Sequence, residues 1–120
     1  MKKALVIDDD PIIRQMTTTW LVEAGYNVQT AADGEAGLRL VRSERPDVVV
    51  VDLMMPRLHG YSVCEEIQKD PGLQATRVVV ASSKSYPVDI RKAKELGASA
   101  YLVKPYERDE LLRALDGGEI

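Results

Sequence analysis

Asp47-Val48-Val49-Val50-Val51 is an unbroken apolar run behind a single acid, and Asp52 closes it. The run lacks the in–out alternation of a strand with one wet face, which predicts a strand covered on both sides. The flanking sequence repeats the theme. Ala4-Leu5-Val6-Ile7, Asn27-Val28-Gln29-Thr30-Ala31, Arg77-Val78-Val79-Val80-Ala81 and Ala100-Tyr101-Leu102-Val103 are four further short β-rich runs. The second is the least apolar and belongs near an edge. Helical patterns fill the intervals. Asp10-Pro11 reads as an N-cap with proline at the first helical position. Ile12, Ile13, Met16, Trp20, Leu21 and Ala24 then recur by threes and fours, and Gly25 fits a left-handed stop. A second helix opens at Asp33 or Gly34 and ends before Pro46. After a loop over Met54–Gly60, a third runs from about Tyr61 to Lys69, and Asp70-Pro71-Gly72 is turn chemistry. A fourth spans Ser85 to Leu96 ahead of Gly97, and a fifth Glu107 to Leu115.

Strict strand–helix alternation predicts an α/β fold: a doubly wound, five-stranded parallel sheet with right-handed crossovers. Ligands in such folds lie beyond the carboxyl ends of the strands. The 120 residues suit one domain, 1–120, with 116–120 read as a frayed tail or linker stump. Apolar residues make up 45% and charged ones 29%, enough apolar surface to offset the entropy of ordering. Sixteen Lys+Arg against nineteen Asp+Glu give net −3 with no basic stripe, which argues against direct nucleic-acid binding. No apolar run approaches the ~18 residues of a membrane span. Only four apolar residues separate Met1-Lys2-Lys3 from Asp8, so no secretory leader is expected. One cysteine, Cys64, and one histidine, His59, make a disulfide, a thiolate zinc site or a histidine triad a poor expectation. The expected compartment is the cytoplasm.

Chemistry should therefore gather where the strands end. The first ends in Asp8-Asp9-Asp10, the third in Asp52, the fourth in Ser82-Ser83 and the fifth in Lys104-Pro105. Each alone is ordinary: Asp10 caps a helix, Ser82-Ser83 reads as a turn, and Lys104 reads as solvated surface. Together they bring carboxylates, a hydroxyl and an ammonium to one edge of the sheet. Oxygen ligands without histidine or cysteine favour a hard divalent ion, and Mg²⁺ fits best. An ammonium and a hydroxyl suit phosphoryl oxygens, and a carboxylate can serve as nucleophile. His59 reads as a loop or helix-start residue, Cys64 as buried and inert, and Met16, Met54 and Met55 need no cofactor.

These pieces resemble the receiver domain of bacterial response regulators over nearly the whole chain. The resemblance rests on Leu5-Val6-Ile7-Asp8-Asp9-Asp10, on Val51-Asp52-Leu53-Met54-Met55-Pro56 with Gly60, on Val80-Ala81-Ser82-Ser83, and on Tyr101-Leu102-Val103-Lys104-Pro105. Ser82 lies 30 residues after Asp52, and Lys104 lies 22 after Ser82. The resemblance implies a flavodoxin-like (βα)5 fold with strand order 2-1-3-4-5. It implies a signalling switch rather than an enzyme, with Asp52 as phospho-acceptor. Asp9 would be a direct Mg²⁺ ligand, Asp8 an acidic neighbour acting through water, and Met54 a ligand through its backbone carbonyl. Ser82 would be the switch hydroxyl, Tyr101 the aromatic that moves inward with it, and Lys104 the phosphoryl contact. Lys104-Pro105 would be a cis peptide. The implied donor is a phosphohistidine on a sensor histidine kinase or phosphotransfer protein, or a small acyl phosphate. The implied output is a downstream protein or domain contacted through the fourth helix, fifth strand and fifth helix, with Arg91, Lys94, Tyr101 and Tyr106 as candidate contacts. Met54 and Lys84 depart from the polar or acidic residues that position a hydrolytic water in many relatives, which implies slow loss of the phosphoryl group. Two other readings stand beside this one: a receiver-like binding module independent of phosphorylation, and an aspartate-based phosphatase of the haloacid-dehalogenase type, suggested by Asp8-Asp9-Asp10.

Overall fold

Among the described residues, 2–55 and 58–116, the computed structural model has five strands alternating with five α-helices. They are β1 (Lys3–Ile7), α1 (Pro11–Glu23), β2 (Asn27–Ala31), α2 (Gly34–Glu44), β3 (Val48–Asp52), α3 (Gly60–Lys69), β4 (Arg77–Ser82), α4 (Pro87–Glu95), β5 (Ala100–Val103) and α5 (Arg108–Leu115). All pairings are parallel, in the order β2-β1-β3-β4-β5. The doubly wound sheet is therefore as expected. Met1, Pro56, Arg57 and the tail residues 117–120 lie outside the described residues.

The valine run divides its side chains between two cores, as a period of two requires. Val49 and Val51 join Leu5, Ile7, Val78 and Val80 against α2, α3 and α4. Val48 and Val50 join Ala4, Val6, Val79 and Leu102 against α1 and α5. Each fully buried valine contributes roughly 1.5–3 kcal/mol of transfer free energy. The polar strand β2 lies at one edge with Asn27, Gln29 and Thr30 exposed, and the four-residue β5 at the other.

Local chemistry sets the helix ends. Asp10 Oδ1 accepts from the Ile12 and Ile13 N–H groups at 2.9 and 3.3 Å, with Pro11 opening α1. Asp33 Oδ1 accepts from Ala36 N–H at 2.9 Å at the start of α2. Gly25 and Gly97 take φ of +96° and +95° where chain leaves α1 and α4. Arg77 Nε donates to the Ala114 carbonyl at 2.7 Å, tying the last turn of α5 to β4.

Several boundaries differ from expectation. Asp52 and Ser82 are the last residues of β3 and β4 rather than the first beyond them, since the ladder pairs Asp52 with Ala81 and Ser82 with Val103. Helix α4 starts at Pro87, not Ser85, because the residue before a proline is driven extended, and Tyr86 sits at φ −70°, ψ 139°. Asp70-Pro71-Gly72 continues as a 3-10 turn over Pro71–Leu73. Tyr106, expected on the output surface, is buried at 4% exposure against α1.

Candidate functional site

The carboxyl ends of β1, β3, β4 and β5 bring Asp8, Asp52, Ser82 and Lys104 to one rim of the sheet. The loop after β1 is tightly held. Asp8 N–H donates to the Ala31 carbonyl at 3.1 Å, the Asp8 carbonyl accepts from Arg14 at 2.8 Å, and Asp10 N–H donates to Asp8 Oδ1 at 2.9 Å. Asp8 Oδ2 accepts from Lys104 Nζ at 2.8 Å. Both Asp8 carboxylate oxygens are thus engaged. Asp9 is exposed beside it.

Asp52 is buried, and its Oδ1 lies 3.3 Å from Lys104 Nζ and 3.4 Å from the Met54 N–H. Asp52 Oδ2 has no hydrogen-bond partner among the described residues. Burial raises the Asp52 pKa to about 6; Lys104 opposes that rise and Asp8 adds to it. Burial also works against the Lys104 ammonium, but its bond to Asp8 and the charges of Asp8 and Asp52 hold its pKa above the ordinary value. Carboxylate oxygens of Asp8, Asp9 and Asp52 lie within 4.8 Å of one another. Asp9, Asp52, Met54, Ser83 and Lys104 line an open cleft of about 520 Å³ above them. This oxygen-only, net-negative set fits a hard divalent cation.

Ser82 is buried, and its Oγ accepts from the Lys84 N–H at 3.1 Å. Tyr101 packs against the core of α2–α4, and its hydroxyl donates to the Lys84 carbonyl at 2.9 Å. The backbone of one residue, Lys84, therefore joins the hydroxyl to the aromatic ring. Sequence reading weighed only the Lys84 side chain, and no local pattern marks a backbone joint of this kind. Lys104-Pro105 is cis, as expected. Gly60 starts α3 directly on the end of β3: a Cβ there would lie 2.2 Å from the Asp52 carbonyl oxygen. His59 caps α3 without a side-chain bond, and the Cys64 thiol is buried, its pKa pushed up to about 12 by burial. The position of His59 at a helix start and the burial of Cys64 are as expected.

Comparison with known proteins identifies the family. The sequence model for the response regulator receiver domain matches residues 4–116. The chain belongs to the receiver domain family. Receiver domains are signalling domains of response regulators. This one is 43% identical over 110 residues to the probable transcriptional regulator ycf27 of Guillardia theta, a match covering 92% of this chain and 42% of that protein. The chain thus spans less than half the length of that relative. Protein PilG of Pseudomonas aeruginosa is 39% identical over 113 residues, covering 94% of this chain and 84% of PilG. The chemotaxis protein CheY4 of Vibrio cholerae shares the receiver fold with a TM-score of 0.89 at 34% identity, over 96% of each chain. No helix among the described residues is long and apolar enough to cross a membrane.

Proposed function

We propose that this receiver domain is a phosphorylation-activated switch whose acceptor is Asp52. The observation that carries the reading is the asymmetry of the Asp52 carboxylate. Oδ1 faces the Lys104 ammonium at 3.3 Å, while Oδ2 is left without a partner among the described residues. A carboxylate whose second oxygen opens on the cleft with no partner among the described residues, beside a fixed cation, is equipped to act as a nucleophile. In the reaction a carboxylate oxygen attacks the phosphorus of a phosphohistidine. The O–P bond forms as the N–P bond breaks, and the donor ring, protonated on its other nitrogen, departs as neutral imidazole. Asp9, Asp52 and the Met54 carbonyl would hold Mg²⁺, with Asp8 acting through water. The bound ion supplies charge neutralisation for the incoming phosphoryl group.

The product carries an added charge of about −1.5 to −2 and new acceptor oxygens. Ser82 can donate its hydroxyl hydrogen to them while Oγ still accepts from Lys84. Any shift of that unit is passed to Tyr101 through the Lys84 carbonyl. The surface altered would be α4–β5–α5, where Arg91 and Lys94 are exposed, presented to a downstream protein or output domain. The donor would be a sensor histidine kinase or phosphotransfer protein, met in the cytoplasm.

The test is intact mass after incubation with acetyl phosphate and Mg²⁺. A single phosphoryl adduct on the wild type, absent from Asp52→Ala, supports the switch. No adduct on the wild type favours a phosphorylation-independent module. Sustained turnover of p-nitrophenyl phosphate favours a phosphatase.

A further inference from the structure

Two long-range contacts join the same two segments of chain. The first is the ion pair between Asp8 and Lys104 at 2.8 Å. The second is a hydrogen bond between the Thr17 and Tyr106 hydroxyls at 2.5 Å. Asp8 leads into α1, which carries Thr17; Lys104 leads through Pro105 to Tyr106. Thr17 is 0% and Tyr106 4% exposed, so neither hydroxyl can turn to water. The Trp20 ring meets the Tyr106 ring edge-on at 6.4 Å and limits its tilt. The Thr17–Tyr106 bond belongs neither to a helix cap nor to the sheet ladder.

We infer that Thr17 and Tyr106 are positioning residues for Lys104: a buried latch that keeps its ammonium over the acceptor carboxylate. The inference rests on Asp52 accepting a phosphoryl group. When a phosphoryl oxygen draws Lys104 away from Asp8, the pair that fixed the segment is lost. The hydroxyl pair two residues on then holds the backbone of Lys104 in register with α1. Apolar packing alone would not do this, because it has no direction, whereas a hydroxyl–hydroxyl bond fixes distance and angle.

Isosteric variants separate positioning from stability. Thr17→Val and Tyr106→Phe each strand one buried hydroxyl, whereas the double variant removes both and approaches neutrality in stability. Each protein is treated with a trace of acetic anhydride well below its melting temperature. Labelling of Lys104 is read against exposed Lys94 by peptide mass mapping, and phosphoryl uptake from acetyl phosphate is measured in parallel. We expect each single variant to label at Lys104 several-fold faster, with Lys94 unchanged, and to take up phosphoryl several-fold more slowly. The double variant should regain melting temperature but neither Lys104 protection nor uptake rate. Unchanged Lys104 labelling in the single variants, or full recovery of both readouts in the double variant, overturns the latch. A wild type that takes up no phosphoryl group refutes the acceptor role of Asp52, while the labelling comparison still decides the latch by itself.

Discussion

Lys104 Nζ donates to Asp8 Oδ2 at 2.8 Å, a shorter contact than the 3.3 Å to Asp52 Oδ1. The ammonium is thus seated among the carboxylates a divalent ion would need, and the two cations would compete. Lys104→Ala should therefore tighten Mg²⁺ binding by roughly tenfold, the worth of a unit charge facing a divalent ion across a few ångströms of wet pocket. The same change should slow phosphoryl uptake, since nothing then neutralises the phosphoryl oxygens from that side. Calorimetric Mg²⁺ titration beside the mass assay checks both. Weaker Mg²⁺ binding in the variant would refute the competition.

The Asp52 carboxyl, raised by burial to about 6, gives the metal-free protein a defined pH dependence. Its pKa in the unfolded chain is about 3.9, so between the two values the folded state binds more protons. The stabilisation from protonated Asp52 is complete below the lower value and is lost as pH rises through the upper one. Asp52→Asn should stabilise the chelator-treated protein at pH 7 by roughly 1–2 kcal/mol. The gap should close by pH 4. Urea melts of both proteins at the two pH values measure it.

Asp10 and Asp9 are neighbours, and separate tasks are expected of them. Asp10 Oδ1 is committed to two α1 N–H groups. Asp10→Ala should cost about 1 kcal/mol of stability, the usual worth of a cap, and leave Mg²⁺ affinity nearly unchanged. Asp9→Asn should do the reverse. Equal losses of Mg²⁺ affinity in both variants would contradict the assignment.

Gly60 allows α3 to begin against the end of β3. An added Cβ meets backbone, 2.2 Å from the Asp52 carbonyl oxygen and 2.7 Å from the Leu53 Cα, so the strand end or the helix must move. Gly60→Ala should lose about 1–3 kcal/mol in urea unfolding. It should also weaken Mg²⁺ binding by displacing Asp52. Wild-type stability in this variant would mean the close approach is not needed.

Once formed, the phosphoryl group should be lost over minutes to hours rather than seconds. Met54, half exposed at the cleft, offers only a weak acceptor, and Lys84 offers only donors. Neither can orient a water as a base would. Met54→Asn and Lys84→Glu should each shorten the lifetime several-fold, followed by mass after removal of the donor.

The sheet was legible in the chain because buried parallel strands leave unbroken runs such as Val48–Val51 and because Gly25 and Gly97 mark helix ends. Asp8, Asp52, Ser82 and Lys104 were legible as a group because parallel topology sends every strand's carboxyl end to the same rim. What escaped the sequence is what depends on distance in the chain. Tyr106 is aromatic, follows a strand and has the composition of a surface contact, yet its partner is 89 residues away. Arg14 holds the Asp8 carbonyl although its spacing on α1 marks only a polar face. Arg45 ends α2 at φ +46°, a left-handed conformation that no glycine or asparagine announced. The early start drawn for α4 at Ser85 ignored the push that Pro87 exerts on Tyr86.

The outermost strands have a bearing on storage and expression. β2 turns Asn27, Gln29 and Thr30 toward solvent, and β5 ends after four residues. A short or polar margin gives a stray β-segment little to zip onto, so concentrated samples should resist fibril-like stacking.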